Sequence, residues 1–164
     1  MIKHKDQRVG VLVDVSNMYH SAKNLYGKKV NFKEILTKAV SGRKLIRATA
    51  YVIKTENKDE MAFFEALSQQ GFEVKMKDLQ TFAGGAKKGD WDVGITIDAI
   101  KLADKLDVLI LVSGDGDYLP MMSYLQNNKG CLVEVIAFRK TTSGKLVEES
   151  DDFTDIGENK KFLL

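Results

Sequence analysis

Residues 108–118 read VLILVSGDGDY, five aliphatic residues followed at once by small and acidic ones. A strand without a polar position is typical of the middle of a parallel sheet, where helices cover both faces. The stretch 9–15, VGVLVDV, has the same character and contains Asp14 near its end. The two stretches predict neighbouring central strands that each end in carboxylates: Asp14 on the first, and Asp115 and Asp117 just past the second.

Apolar runs of strand length alternate with longer segments of helical period, which indicates an α/β fold. Strands are predicted at 9–15, 45–53, 72–77, 108–113 and 131–138, and helices at 17–25, 32–40, 58–70, 90–106, 118–128 and 143–149. Right-handed crossovers then give a parallel sheet of about five strands in the order 3-2-1-4-5, with helices on both faces. We expect a single Rossmann-like domain over residues 1–164, with its ligand site where the strand order reverses, between strands one and four.

Composition and charge limit the class of protein. The chain has 44% hydrophobic and 29% charged residues, as folded soluble domains do, and 25 basic against 23 acidic residues give a net charge of +2. That charge alone indicates neither nucleic-acid nor membrane binding. The single cysteine, Cys131, excludes an internal disulfide and a cysteine-based zinc site. The apolar run after the charged start is too short to cross a membrane, so we expect a cytoplasmic protein without a membrane partner.

Four aspartates are predicted to converge on the crevice between the two central strands. Asp14, Asp115 and Asp117 come from the strand ends, and Asp92 projects into the core-facing arc of the helix at 90–106. Carboxylates crowded together repel one another, and a divalent cation that prefers oxygen ligands, Mg²⁺ or Mn²⁺, would neutralise them. Such ions activate water and stabilise charge on a phosphate, which favours metal-assisted phosphodiester hydrolysis.

Each of these acidic residues also has a purely structural interpretation. Asp90 and Asp117 precede predicted helices and could be N-caps. Asp14 could be a polar residue at a strand end. Asp98 falls at the polar margin of its helix and could be solvated.

A basic, glycine-rich loop, TFAGGAKKG at 81–89, precedes the acidic helix. Lys87 and Lys88 lie close to the helix N-terminus, where the helix dipole disfavours cations. Contact with substrate phosphates would explain lysines in that position, and an ordinary solvated loop is the alternative. Asn17 begins the first predicted helix and could cap it, orient Asp14 or bind a scissile phosphate.

These segments, in this order, resemble the NYN domain of the PIN-like nuclease superfamily, in its LabA-like bacterial branch. VLVDVSNMYH (11–20) is similar to the opening D-x-S-N segment, and KGDWDVGITIDAIKLA (88–103) to the central acidic helix. LILVSGDGDYLPMM (109–122) is similar to the S-G-D-x-D-[FY]-x-P segment, with G-x-x-V-E-V after it at 130–135. The tail TTSGKLVEESDDFTDI (141–156) resembles the closing helix and short strand.

The resemblance implies a Rossmann-like sheet and a Mg²⁺- or Mn²⁺-dependent ribonuclease with acidic ligands at Asp14, Asp92, Asp115 and Asp117. Our hypothesis is an enzyme that cleaves RNA, preferably single-stranded because nothing in the sequence resembles a reader of duplex grooves. The further candidates are Asn17, Lys87 and Lys88 for substrate binding, and Asp90, Asp98 and Ser113 around the acidic site.

The sequence also allows two other functional interpretations. It could be a catalytically silent module that binds RNA or a protein partner and keeps the acidic pocket. A phosphoacceptor receiver domain is a weaker alternative, because it leaves both the SGDGD segment and the acidic helix unexplained. The sequence also allows a homodimer.

Overall fold

The computed structural model describes residues 3–81, 83–84 and 87–164, and the side chains of Thr81, Lys87 and Lys88 lie outside the described set. Six strands form one parallel sheet: β1 (Arg8–Asp14), β2 (Lys44–Lys54), β3 (Glu73–Asp78), β6 (Val108–Val112), β7 (Leu132–Ala137) and β8 (Asp152–Asp155). A separate antiparallel pair consists of β4 (Gln80–Thr81) and β5 (Lys87–Lys88).

The spatial order of the sheet is β3-β2-β1-β6-β7-β8, so its strands follow the order 3-2-1-4-5-6 along the chain. The predicted α/β fold and strand order are confirmed, with β8 added at one edge. The order reverses between β1 and β6, which pair in parallel from Val9 with Val108 to Val13 with Val112. The crevice at the carboxyl ends of these two strands is therefore the expected place for a ligand site.

In the described part of the chain, six α-helices cover the faces of the sheet: α1 (Val15–Tyr26), α2 (Phe32–Val40), α3 (Glu60–Gln69), α4 (Asp92–Ala103), α5 (Leu119–Asn128) and α6 (Gly144–Glu149). Helix α1 begins two residues before the predicted position, because the side chain of Asp14 caps its first turn. The helix is capped at its carboxyl end by Gly27, whose φ of 63° is the left-handed conformation that glycine adopts readily. Among the described residues, no helix is both long and apolar enough to cross a membrane.

The centre of the sheet is the most deeply buried part of the chain. Every residue of β6 is buried, and so is every residue of β1 after Arg8. Gly10 lets the segment between α4 and β6 pack closely on β1, since a Cβ there would lie 2.7 Å from Cδ1 of Leu106. Close packing along both strands makes them a rigid support for the acidic residues that follow their carboxyl ends.

A buried ion pair lies near the opposite, amino-terminal end of the strands. Arg43, just before β2, donates from Nη1 and Nη2 to the two carboxylate oxygens of Glu134 on β7, each at 2.9 Å. The guanidinium also donates to the carbonyl oxygen of Ala39, 2.8 Å away. Both charged side chains are almost completely buried. The pair therefore ties the turn before β2 to β7.

Candidate functional site

The structure brings three of the predicted acidic residues together at the crevice. One carboxylate oxygen from each of Asp92, Asp115 and Asp117 lies within 4.8 Å of the others. Asp92 is the first residue of α4, and the other two belong to a short 3-10 turn, Gly116–Tyr118, and its N-cap. Asp92 and Asp115 are half-buried while Asp117 is exposed, so the cluster is open to solvent on one side.

The acidic turn after β6 is shaped by its own first carboxylate. Oδ1 of Asp115 accepts a hydrogen bond from the N–H of Asp117 at 2.9 Å, which makes Asp115 the N-cap of the turn. The N–H of Asp115 in turn donates to Oγ of Ser113 at 3.2 Å. The predicted capping alternative therefore applies to Asp115 and not to Asp117.

Two glycines let a later segment pack directly against this turn. A Cβ on Gly114 would lie 2.7 Å from Oγ1 of Thr142, and one on Gly116 would lie 2.9 Å from Oγ of Ser143. The N–H of Ser143 donates to the carbonyl oxygen of Gly114 at 3.0 Å. The residues before α6 thus hold the acidic turn in place.

Asp14 lies behind the three-acid cluster and is not one of its members. It is only 6% exposed. Its Oδ1 accepts from the N–H of Asn17 at 3.2 Å, and its Oδ2 accepts from the hydroxyl of Tyr118 at 3.0 Å. Burial raises the pKa of Asp14 above its ordinary value, against the lowering effect of these hydrogen bonds. Both oxygens of the predicted ligand therefore already have donors within the chain.

Asn17 does not cap α1. Its Oδ1 instead accepts a hydrogen bond from the N–H of Gly114 at 3.0 Å, which links the first turn of α1 to the acidic turn. No acceptor for its Nδ2 occurs among the described residues. The side-chain amide of Asn17 therefore lies beside the crevice, and in the described part of the chain its Nδ2 hydrogens have no acceptor.

Tyr118 is the site residue that the sequence reasoning missed. Its side chain is fully buried, and its hydroxyl lies 3.0 Å from Oδ2 of Asp14 and 3.1 Å from Oδ1 of Asp92. Burial and the two neighbouring negative charges raise the pKa of Tyr118 far above its usual range, so the hydroxyl keeps its proton. The available signal was its place in the SGDGDY segment, where the family motif has Phe or Tyr.

The electrostatics of the cluster fit a bound cation. Burial, which has the largest effect, and the negative charge of Asp115 raise the pKa of Asp92 to about 6, although the hydrogen bond from Tyr118 lowers it. In the described part of the chain, no Lys, Arg or His nitrogen lies within 4.0 Å of a carboxylate oxygen of Asp14, Asp92, Asp115 or Asp117. Several hard oxygen donors with uncompensated charge are the donor set that Mg²⁺ and Mn²⁺ prefer.

The start of α4 is held by the residues just before it. Oδ1 of Asp90 accepts from the N–H of Asp92 at 3.2 Å, a hydrogen bond that supports the predicted structural role of Asp90. Trp91 donates from Nε1 to the carbonyl oxygen of Val52 at 2.9 Å. Its ring packs so closely on Gly94 that a Cβ there would lie 2.6 Å away. These contacts set where Asp92 projects.

Asp98 lies apart from the three-acid cluster. Its Oδ2 accepts from the hydroxyl of Tyr51 at 2.7 Å and from Nζ of Lys75 at 2.8 Å, beside a cavity of about 100 Å³ that Arg47 and Lys101 also line. Burial alone would raise the pKa of Asp98, but the hydrogen bonds from Lys75 and Tyr51 and the nearby lysine charges together lower it. Asp98 is thus part of a separate ion pair between α4 and β3.

The side chains of Lys87 and Lys88 lie outside the described residues. Their backbone forms β5, which pairs antiparallel with β4 through Gln80 with Lys88 and Thr81 with Lys87. The segment predicted as a loop therefore contains a short strand pair. Their role in substrate binding stays a prediction.

A doubly wound parallel sheet with a carboxylate cluster at its switch point is the architecture of the PIN-like nuclease superfamily. The NYN domain family of that superfamily matches residues 8–157, and the chain belongs to it. The chain is 22% identical over 167 aligned positions to the low amplitude and bright protein LabA of Synechococcus elongatus, covering 97% of this chain and 89% of that protein. The predicted LabA-like resemblance is therefore confirmed.

A solved crystal structure shares the whole fold. A protein of unknown function from Vibrio parahaemolyticus is 34% identical, with a TM-score of 0.90 over 100% of both chains. The architecture described above, including the added β8, therefore belongs to a fold already observed by crystallography.

Proposed function

We propose that the protein is a metal-dependent ribonuclease that hydrolyses phosphodiester bonds, with single-stranded RNA as its substrate. The observation that carries the proposal is the cluster of Asp92, Asp115 and Asp117, whose carboxylate oxygens approach within 4.8 Å without a cationic partner among the described residues. Membership of a nuclease superfamily that typically uses divalent metals supports the same conclusion.

In this proposal Asp92, Asp115 and Asp117 hold Mg²⁺ or Mn²⁺, and Asp14 adds its negative charge from behind. When bound, such an ion supplies activated water and stabilises charge that develops on a phosphate. The chain itself provides the positioning: Asp115 caps the turn that carries two of the acids, and that turn is fixed against the segment before α6.

Substrate binding is assigned to Asn17, Lys87 and Lys88. The Nδ2 hydrogens of Asn17 suit an anionic phosphate oxygen, because the other amide atom, Oδ1, is held by Gly114. The two lysines immediately precede the acidic helix and would bind the RNA backbone, a contact that carries no sequence information. Residues 1–164 would act as one domain, in the cytoplasm, where a free thiol such as that of Cys131 stays reduced.

A catalytically silent module is the second candidate, and one observation favours it. Only three carboxylates, those of Asp92, Asp115 and Asp117, approach one another closely among the described residues, and three ligands fit a single structural metal. Such a module would bind RNA or a protein partner without cleaving it.

The test is a cleavage assay on several unstructured RNAs with Mn²⁺, with and without EDTA. We expect cleavage that EDTA stops and that both Asp14→Asn and Asp115→Asn lose. Asp59→Asn is the matched control, because Asp59 is exposed and its side chain caps nothing. Full activity in either site variant would show that the nuclease is a contaminant or that the site lies elsewhere, and RNA binding without cleavage would favour the silent module.

A further inference from the structure

The hydroxyl of Tyr118 joins two carboxylates that come from different parts of the fold. Asp14 ends β1 and Asp92 begins α4, and the chain separates them by more than seventy residues. Tyr118 is itself the last residue of the 3-10 turn that follows Asp115. One side chain therefore connects all three elements that supply the acidic site.

A phenol has one hydrogen to donate, and here two carboxylate oxygens lie within reach, at 3.0 and 3.1 Å. The ring is fully buried, so packing holds the hydroxyl between the two carboxylates. Asp14 has a second donor in the N–H of Asn17. Asp92, by contrast, has no other side-chain hydrogen-bond donor among the described residues.

We propose that Tyr118 is a positioning residue that orients Asp92 for the divalent ion, a role that rests on the metal site proposed above. Its hydroxyl occupies Oδ1 of Asp92 and leaves Oδ2 without a hydrogen-bond donor in the described part of the chain. It does so from the backbone segment that carries Asp115 and Asp117, so this contact links the Asp92 carboxylate directly to the turn that holds the other two. Groups that hydrogen-bond to metal ligands commonly change metal affinity 10- to 100-fold when they are removed.

The competing explanation is that Tyr118 only fills the core. Phenylalanine retains the ring and its packing, so Tyr118→Phe removes the hydroxyl alone. The chain offers a matched control in Tyr51, which is equally buried and donates at 2.7 Å to Asp98, a carboxylate on the same helix α4. Asp98 lies outside the three-acid cluster, so Tyr51→Phe reports the general effect of deleting such a hydroxyl.

The experiment measures Mn²⁺ affinity by calorimetric titration and the geometry of the bound ion from its electron paramagnetic resonance spectrum. For Tyr118→Phe we expect an affinity about 10- to 100-fold weaker and an altered spectrum. For Tyr51→Phe we expect both to match the wild type. Melting in EDTA identifies the temperature at which each variant is fully folded, and the titrations are run below it.

A double-mutant cycle with Asp92→Asn tests whether Tyr118 acts through Asp92. In that background Tyr118→Phe should weaken Mn²⁺ binding by less than about 2-fold, since the asparagine can still accept from Tyr118 but no longer supplies a carboxylate for the ion. The Asp92→Asn chain, which we expect to be more stable than wild type, also provides a folded background if the single variant is unstable.

The outcomes separate this role from the proposed function. Wild-type affinity and an unchanged spectrum in Tyr118→Phe overturn the positioning role and leave the metal site intact. An equal loss in the two backgrounds also overturns it, because Tyr118 would then act on another group. A wild-type protein that binds no Mn²⁺ overturns both the proposed function and the role of Tyr118.

Discussion

Asp92→Asn should stabilise the metal-free protein, because it removes one charge from the crowded cluster and keeps the shape of the side chain. The carbonyl oxygen of asparagine can still accept from Tyr118. Burial and the charge of Asp115 raise the pKa of Asp92 from 3.8 to about 6, a rise of about two units. At about 1.36 kcal/mol per unit the ceiling is about 3 kcal/mol. Asp92 is only half-buried, and solvent screening reduces the expected gain to about 1 kcal/mol.

The sign of the effect depends on pH. A carboxyl whose folded pKa lies above its unfolded pKa destabilises the fold once it is ionised, so the penalty is full above pH 6 and disappears below about pH 3.8. The advantage of Asp92→Asn over wild type should therefore be largest at pH 7 and shrink as the pH falls through this interval. For a chain of this size, 1 kcal/mol corresponds to about 2–4 °C in melting temperature.

Thermal melting in EDTA and in increasing Mn²⁺ measures both halves of the prediction. In EDTA at pH 7 the variant should melt higher than wild type, and in Mn²⁺ it should gain less, because stabilisation by a ligand follows its affinity for the native state. Asp59→Asn serves as the exposed control and should melt like wild type at pH 7 and throughout the lower pH interval. A lower melting temperature for Asp92→Asn in EDTA, combined with an intact Mn²⁺ shift, would refute the reasoning and remove the main support for the metal site.

Three further predictions concern other parts of the structure. Glu134→Gln leaves the buried guanidinium of Arg43 without its counter-charge, so it should lower the free energy of unfolding, measured in urea, by about 3–5 kcal/mol. A decrease of less than about 1 kcal/mol would contradict the importance of the pair. Replacing Lys87 and Lys88 together by Ala should weaken the binding of all RNA sequences and make the affinity less dependent on salt concentration. An unchanged salt dependence would mean that the two lysines do not contact RNA phosphates. Asp90→Asn should be nearly neutral in melting while Asp90→Ala costs about 1 kcal/mol, and equal losses would exclude the capping role.

The central strands could be predicted because their almost entirely apolar sequences indicate that they are buried. β6 and the interior of β1 are apolar throughout, a pattern typical of a strand covered on both faces. The same logic placed Asp14, Asp115 and Asp117 at the carboxyl ends of neighbouring strands. Asp115 and Asp117 do meet, together with Asp92 from α4, whereas Asp14 lies outside the three-acid cluster. Periodicity did not identify β8, because DFTD alternates polar residues over only four positions; only the family resemblance indicated a strand there.

The remaining features depend on contacts between distant residues. Tyr118 donates to Asp14 and Asp92, which are 104 and 26 positions away, and an aromatic residue beside a helix looks like core packing in sequence. From the sequence, Asp98 is predicted to be solvated on its helix, because its partners Tyr51 and Lys75 come from the strands β2 and β3. Helix periodicity identifies the face on which a residue lies but not the side chains opposite it.

The charged edges of the sheet determine how copies of this chain can associate. At one edge, four of the six residues of β3 are charged; at the other, β8 is only four residues long and begins and ends with aspartate. Edges of this kind resist pairing with a strand from another molecule, which protects the protein against edge-to-edge aggregation and fibril growth. Pairing of the two sheet edges is therefore disfavoured as the contact of a symmetric dimer of this protein.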